Sequence, residues 1–197
     1  MKKIILMLAL LLAFVAAQAQ HIEFKWHGFY GVAGYAWSTN LNKSAGSNDA
    51  DFADTVTFNS FYAVAGWQIR KGSGLGLGVE FMKDATGAFT QLPVFVEVRS
   101  HFLRNRVTPF TVVQVGYSIP LGSASSGKNS IQITGGGLTW NLQVGARFAA
   151  TPKFAINAFV GYQGFHMNHV ERKVDGAIYG NRPKLLHDLK VGVAFNF

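Results

Sequence analysis

Ser100 and His101 are the residue types that acyl transfer uses, since a serine hydroxyl becomes a nucleophile when a histidine removes its proton. Such a pair must hydrogen-bond, so both side chains have to lie on the same face of their element. These two residues are neighbours in a segment that alternates apolar and polar positions, and neighbours on a strand point to opposite faces. We therefore predict that the pair is not catalytic and that the chain is not an enzyme.

The segment "HMNH" contains a second set of candidate residues. His166 and His169 are three residues apart, with Glu171 and His187 not far away, and these residue types bind metal ions. On a strand, residues i and i+3 face opposite ways, which separates the two histidines. We expect histidines exposed in a loop, with no metal and no cofactor.

Basic residues surround these histidines. Phosphate groups of lipopolysaccharide are one ligand that such a cluster can bind, through charge-assisted hydrogen bonds. The alternative is an ordinary charged surface loop. The loop binding candidates are His166, His169, Arg172, Lys173, Arg182 and Lys184.

The N-terminal region has the pattern of a secretory signal peptide. Two lysines precede an apolar run over 4–17, and Ala17-Gln18-Ala19 is a small-x-small cleavage site. The sequence therefore predicts a signal over 1–19 and a single exported domain over 20–197. The chain has no cysteine, which excludes a disulfide framework and a lipid anchor on cysteine.

The composition narrows the classes of partner. The formal net charge of +8 fits an anionic lipid surface as well as any other polyanion. An exported chain without a recognition motif is not expected to bind nucleic acid. Hydrophobic residues make up 49% of the chain, yet no stretch after the signal has the roughly 20 apolar residues of a spanning helix.

The apolar residues instead follow a two-residue alternation. Over 92–102 the even positions are mostly apolar, and the odd positions include Glu97, Arg99 and His101, which indicates a strand with one apolar face. Eight segments are predicted as strands: 22–37, 55–70, 74–82, 92–103, 110–119, 131–149, 154–166 and 186–197.

The connections between these segments alternate in length. Long or medium polar loops, including 38–54 and 167–184, alternate with tight turns such as "KGSG" and "ATPK". This asymmetry is typical of an up-and-down meander that closes into a barrel.

An eight-stranded barrel can carry its apolar face inward, around a ligand, or outward, toward lipid. The polar face here is rich in glycine and amides and poor in lysine and glutamate, unlike a soluble surface. We therefore predict an eight-stranded antiparallel up-and-down transmembrane β-barrel with a polar interior. Aromatic residues expected near strand ends at the lipid interface are Tyr35, Trp37, Phe61, Trp67, Phe102, Tyr117, Phe148, Phe154, Tyr162 and Phe197.

Two acids and two bases fall at similar depths on the predicted inner face: Glu80, Glu97, Arg99 and Lys190. A barrel of eight strands is only wide enough for its side chains to fill it, and a buried ion needs a partner. The sequence therefore predicts a neutral lumen network that plugs the barrel. The alternative is a set of unrelated charges, each solvated by its own water.

The final segment has the pattern Lys190-x-Gly192-x-x-Phe195-x-Phe197, and it resembles the C-terminal assembly signal of bacterial outer-membrane proteins. In that family the last strand is recognised by the barrel-assembly machinery. The segment "LPVFVEVRSHFLRNRVTPFTVVQVGYSI" is similar to the central hairpin of the small porin-family barrels of the OmpX, OmpA and OmpW type.

This resemblance implies the bacterial outer membrane as the location, outer-membrane lipids and the assembly machinery as partners, and a monomer. It leaves the role open, because the fold supports several functions. A structural, adhesive or loop-binding role is the first expectation and a small passive channel is the alternative. A lipid A-modifying enzyme of the PagL or PagP type is disfavoured, because a PagL-like His-x-Ser pair is missing.

Overall fold

The computed structural model describes residues 27–41, 57–70, 72–85, 90–103, 105–121, 124–126, 129–167, 169–174, 177–181 and 184–197. Only the backbone is described for 70, 124–126, 129–135, 167, 169–174, 177–181 and 184. The predicted signal peptide lies outside the described residues. No helix within these ranges is long and apolar enough to cross a membrane.

The described part of the chain consists of β-strands. They are β1 (Gly28–Asn40), β2 (Thr57–Arg70), β3 (Ser73–Asp84), β4 (Thr90–His101), β5 (Val107–Pro120), β6 (Ala124–Ser126), β7 (Asn129–Gly135), β8 (Gly137–Ala149), β9 (Ala155–Met167), β10 (His169–Val174), β11 (Ala177–Asn181) and β12 (Lys184–Asn196).

Eight of these strands form a closed antiparallel barrel in the order β1-β12-β9-β8-β5-β4-β3-β2. The two-residue alternation of the sequence matches its two faces, and exposed and buried residues alternate at all twelve positions of β3. Leu75, Leu77, Val79 and Phe81 point outward, as predicted. The predicted fold class is confirmed.

The first strand has a clear parity that the sequence did not reveal. Tyr30, Val32 and Ala36 are buried on the inner face, whereas Phe29 and Tyr35 are exposed on the outer face. Aromatic residues occupy both faces of β1, which is why the sequence pattern alone was ambiguous.

The barrel has two distinct ends. The tight turns β2–β3, β4–β5 and β8–β9, with the first residue of β1 and the last of β12, form the turn end; the other connections form the loop end. Gly72 lies in the β2–β3 turn with a φ of +97°, a conformation that favours glycine, and a Cβ there would collide with the His101 carbonyl.

A second sheet corrects two sequence predictions. The predicted strand 131–149 is divided at Gly136 into β7 and β8, and the predicted loop 167–184 contains β10 and β11. The sheet order is β11-β10-β7-β6. Along the chain, β11 leads into β12, β10 follows β9, β7 leads into β8 and β6 follows β5. These four barrel strands are neighbours in the order β12, β9, β8 and β5, which is the order of the second sheet. Backbone pairing thus continues beyond the loop end on one side of the barrel, and β6, β10 and β11 lie where the polar sequence indicated loops.

The barrel closes between β1 and β12. Val32 lies opposite Asn196, and the pairing continues to Asn40 opposite Asp188. Gly31 N donates to the Phe197 carbonyl at 2.7 Å, and Phe197 N donates back to the Gly31 carbonyl at 3.0 Å. The Phe197 ring lies over Gly31, so that a Cβ at this position would collide with it. The last residue of the chain therefore completes the closing seam with both its backbone and its ring.

This seam yields a first prediction. Gly31→Val should displace the ring and Phe197→Asp should remove it, so each should lower the yield of folded barrel when the protein is refolded into detergent or lipid vesicles. Ala33→Val is the matched control, because Ala33 is the next outward-facing residue of β1. Folded yield is measured by the mobility of unboiled samples in gel electrophoresis. Yields equal to wild type in both seam variants would show that the ring contact is dispensable.

Candidate functional site: the barrel lumen

The inner face of the barrel carries most of its buried polar side chains. Glu80, Glu97, Arg99 and Lys190 are all on this face and almost completely buried. Among residues with described side chains the only acids are Glu80, Asp84, Glu97 and Asp188, and all four are buried there as well. Ions in so narrow a space have little water to solvate them, so their partners determine their energy.

One ion pair crosses the lumen. Lys190 Nζ donates to Glu80 Oε1 at 2.5 Å, and both side chains are about 1% exposed. Lys190 is on β12 and Glu80 on β3, which are separated in the barrel by β1 and β2. The Lys190 ammonium also lies 5.7 Å from the centre of the Tyr62 ring. This contact connects two walls of the barrel that share no backbone hydrogen bond.

A second ion pair lies along one wall. Arg99 lies two residues after Glu97 on β4, and its Nε donates to Glu97 Oε1 at 2.8 Å. Gln114 Nε2 donates to the other carboxylate oxygen at 2.8 Å, and the Arg99 guanidinium lies 5.3 Å from the centre of the Phe110 ring. The four predicted network residues form two ion pairs, one across the lumen and one along a strand.

Amide side chains extend the network. Gln114 Oε1 accepts from Asn141 Nδ2 at 3.1 Å and from Gln143 Nε2 at 3.4 Å, while Ser118 Oγ donates to Gln91 Oε1 at 2.6 Å. These residues lie on β4, β5 and β8, so this wall of the lumen is rich in amides.

A layer of aromatic rings is the part of the lumen that sequence reasoning missed. Tyr62 from β2 meets Phe159 from β9 edge-on, with ring centres 6.0 Å apart. Tyr30, Phe95 and Phe110 are also buried on the inner face. The sequence contains a signal for one of these rings, since Phe95 shares its parity with Glu97 and Arg99 and therefore falls on the predicted inner face.

Glycines make room for these rings. A Cβ on Gly34 would lie only 2.6 Å from the Tyr62 ring, and one on Gly192 only 2.5 Å from the Phe159 ring. Atoms cannot approach so closely, so a side chain at either glycine would displace the ring. The lumen is therefore filled by rings packed against glycine as well as by paired charges.

The outer face carries the aromatic residues expected near strand ends. All ten are exposed, from 37% for Phe154 to 64% for Phe61 and Phe102. His187 belongs to this face: its Nδ1 lies 2.8 Å from the Tyr162 hydroxyl, and its ring stacks on Tyr162.

The remaining candidates do not form a common site among the described residues. His101 is buried on the inner face of β4 and Ser100 points the other way. His166 is exposed at the end of β9, and no group of three potential metal ligands occurs among the described residues. His169, Arg172 and Lys173 lie in β10 and Lys184 begins β12, with only their backbone described; Arg182 lies outside the described residues.

The four residues of the C-terminal pattern occupy both faces of β12. Lys190 and Gly192 point inward, while Phe195 and Phe197 point outward. Phe195 stacks on Phe154, with ring centres 5.7 Å apart, and Phe197 covers Gly31. Recognition of this segment by assembly machinery stays a prediction.

This geometry can be compared with known proteins. The crystal structure of Neisserial surface protein A matches with a TM-score of 0.60 at 16% identity, over 86% of this chain and 96% of that chain. The outer membrane protein OprG from Pseudomonas aeruginosa matches with a TM-score of 0.58 at 12% identity, over 89% and 99%. The fold is that of a small outer-membrane β-barrel. No protein-family model and no curated protein matches the sequence.

The cross-lumen pair yields a second prediction. Lys190→Met or Glu80→Gln alone should lower the free energy of unfolding by at most about 3–5 kcal/mol, because each leaves one buried ion without its partner. The double variant Glu80→Gln/Lys190→Met should recover most of this loss. Urea titration in lipid vesicles, followed by tryptophan fluorescence, measures the effect.

The control for this prediction is Lys83→Gln, which removes an exposed lysine from the outer face of β3. It should leave the free energy of unfolding nearly unchanged. Single variants no less stable than this control, or a double variant whose loss is the sum of the two single losses, would contradict a coupled pair.

Proposed function

We propose that the protein is a closed, non-catalytic barrel of the bacterial outer membrane, whose role is structural, adhesive or binding and resides at its loop end. The observation that carries this proposal is the filled lumen: the Lys190–Glu80 pair crosses it, and the Tyr62–Phe159 contact bridges it. A lumen filled in this way leaves the loop end as the part free to meet other molecules.

The outward surface supports the proposed location. Apolar residues occupy the outer positions of every barrel strand, including Leu77, Val115 and Val193, and aromatic residues accompany them. In lipid every backbone polar group must be satisfied within the protein, which a closed barrel achieves. We infer outer-membrane lipids as the surroundings, assembly machinery as a transient partner, and a monomer.

The loop end has a feature suited to binding. The sheet β6-β7-β10-β11 extends four neighbouring barrel strands beyond the rim, and the backbone of His169, Arg172 and Lys173 lies within it. We propose that this sheet, with its basic residues, presents the surface that meets lipopolysaccharide phosphates or another partner. Charge-assisted hydrogen bonds from arginine and lysine to phosphate would supply the affinity.

Location and closure give a third prediction. Unboiled protein in sodium dodecyl sulfate should migrate at a different apparent mass from boiled protein, because a closed barrel has no free edge at which unfolding can begin. Fractionated cells should contain it in the outer membrane. Identical mobility together with recovery from the soluble periplasm would reject the proposed location.

Conductance in planar bilayers gives a fourth prediction and tests the channel alternative. Wild type should show no stable conductance, whereas Glu80→Ala/Lys190→Ala removes the cross-lumen contact and should raise ion leakage. The control is Lys83→Ala, which changes charge only on the outside. A stable conductance of wild-type protein would favour a passive channel over the closed barrel. Loss of acyl chains from lipid A incubated with the protein would instead indicate an enzyme.

A further inference from the structure

Three polar side chains lie side by side at one level of the lumen. Asn141 on β8, Gln163 on β9 and Asp188 on β12 all point inward, and each is at most 2% exposed. Asn141 lies directly opposite Gln163, and Gln163 lies directly opposite Asp188. Side chains directly opposite each other on antiparallel strands have Cβ atoms about 5 Å apart. Backbone pairing therefore places these three side chains next to one another.

The three side chains present oxygen atoms that accept no hydrogen bond from any described residue. Both carboxylate oxygens of Asp188 are in this state, together with Gln163 Oε1 and Asn141 Oδ1. The amide nitrogens are directed elsewhere, since Asn141 Nδ2 donates to Gln114 Oε1 and Gln163 Nε2 lies 3.9 Å from Met82 Sδ. Buried polar atoms are satisfied in nearly all proteins, so grouped acceptors without a donor point to a ligand from outside the chain.

The lysine next to Asp188 on the inner face of β12 is already paired. Lys190 lies two residues further along the strand, and its ammonium donates to Glu80 on β3. On β1, Ser38 is near enough to act on the Asp188 carboxylate, yet neither its hydroxyl nor the Asn40 amide completes a hydrogen bond to it. A buried carboxylate is costly to keep ionised without a partner.

Gly161 leaves room beside these oxygen atoms. It is the inward residue of β9 two positions before Gln163 and has no side chain. A Cβ at this position would approach the nearest atoms of β8 no closer than 3.0 Å, and Asn141 Oδ1 is one of them. At Gly34 and Gly192 rings fill the corresponding space, with distances of 2.6 and 2.5 Å. The lumen therefore has space for a small ion next to the Asn141 carbonyl oxygen.

Oxygen atoms of this kind are ligands of hard cations. Carboxylate and carbonyl oxygens bind such ions by taking the place of their water shell. A single carboxylate balances one positive charge, which favours an alkali ion over a divalent one. No group of three histidine, cysteine or acidic ligands occurs among the described residues, so a transition-metal site is not indicated.

We propose that the lumen binds one monovalent alkali cation, of the sodium or potassium class, between Asp188, Gln163 and Asn141. The cation neutralises the Asp188 carboxylate and is held by the carbonyl oxygens of the two amides. It thereby connects β8, β9 and β12 on their inner faces. This site is independent of the proposed role of the loop end, so either proposal can fail without the other.

The test measures equilibrium unfolding in urea at neutral pH, with the barrel in vesicles of phosphatidylcholine, whose headgroup carries no net charge. Sodium chloride replaces N-methylglucamine chloride at constant ionic strength, because that organic cation is too bulky to bind among packed side chains. A single ion that binds only the folded barrel raises the folded-to-unfolded ratio about tenfold for each tenfold increase in its concentration above saturation. Because the ion is present during both unfolding and refolding, the result does not depend on a route into the closed lumen.

Three variants locate the site, each checked first for heat-modifiable mobility. Asp188→Asn keeps the shape of the side chain and removes its charge, so it should abolish the sodium dependence. Gln163→Leu removes one carbonyl ligand and should raise the half-saturating sodium concentration about tenfold, the effect of losing one contact to a charged group. The matched control is Gln68→Leu, which removes an inward amide near the turn end and should keep the sodium dependence of wild type.

Three outcomes would overturn the proposal. In the first, wild type is equally stable in sodium or potassium chloride and in N-methylglucamine chloride, which would show that a proton or water satisfies Asp188. In the second, Asp188→Asn keeps the dependence of wild type. In the third, Gln68→Leu loses as much of it as Gln163→Leu. If Asp188→Asn does not fold, Gln163→Leu decides, since an unchanged half-saturating concentration in that variant contradicts the site.

Discussion

Closure of the sheet is the constraint on which the rest of the structure depends. An open sheet in lipid would leave a row of backbone donors and acceptors without partners, so the first and last barrel strands must pair. Here that seam continues as far as Gly31 and Phe197, which exchange two backbone hydrogen bonds. Glycine is required at that point because the Phe197 ring occupies the position of a side chain. The closing contact thus depends on the fit of the Phe197 ring over Gly31 as well as on backbone pairing.

Closing eight strands fixes the width of the lumen, and the width determines what can fill it. Bulky inward rings lie over glycines of neighbouring strands, as Tyr62 does over Gly34. A buried charge needs a partner, and Lys190 reaches one by extending across to Glu80. Mutual dependence of this kind makes the interior rigid, because removing one member leaves either a void or an uncompensated ion.

The two ends of the barrel use this interior differently. Toward the loop end, acids outnumber bases among the described lumen side chains, and four strands continue into a second sheet beyond the rim. Toward the turn end, Arg99 pairs with Glu97, and Arg147 donates to Asn196 Oδ1. The aromatic layer adds an apolar barrier to the lumen. The described lumen side chains therefore differ in chemistry between the two ends of the barrel.

The sequence by itself determined the period of the strands, their number in the barrel and, except in β1, the apolar face that points outward, because a two-residue repeat is a local property of the chain. It also selected Glu80, Glu97, Arg99 and Lys190 as inward charges. Only the tertiary structure decided that Lys190 crosses the lumen to Glu80, since strand tilt and side-chain reach set distances between strands. Glu97 and Arg99 are same-face neighbours on β4, so their contact is local. The sequence alone did not predict the inward rings of Tyr62 and Phe159, because the space for each ring is left by a glycine on another strand. Pairing of β7 with β10 beyond the rim likewise depends on β8 and β9 being neighbours in the barrel, and a local sequence pattern does not show which strands are neighbours.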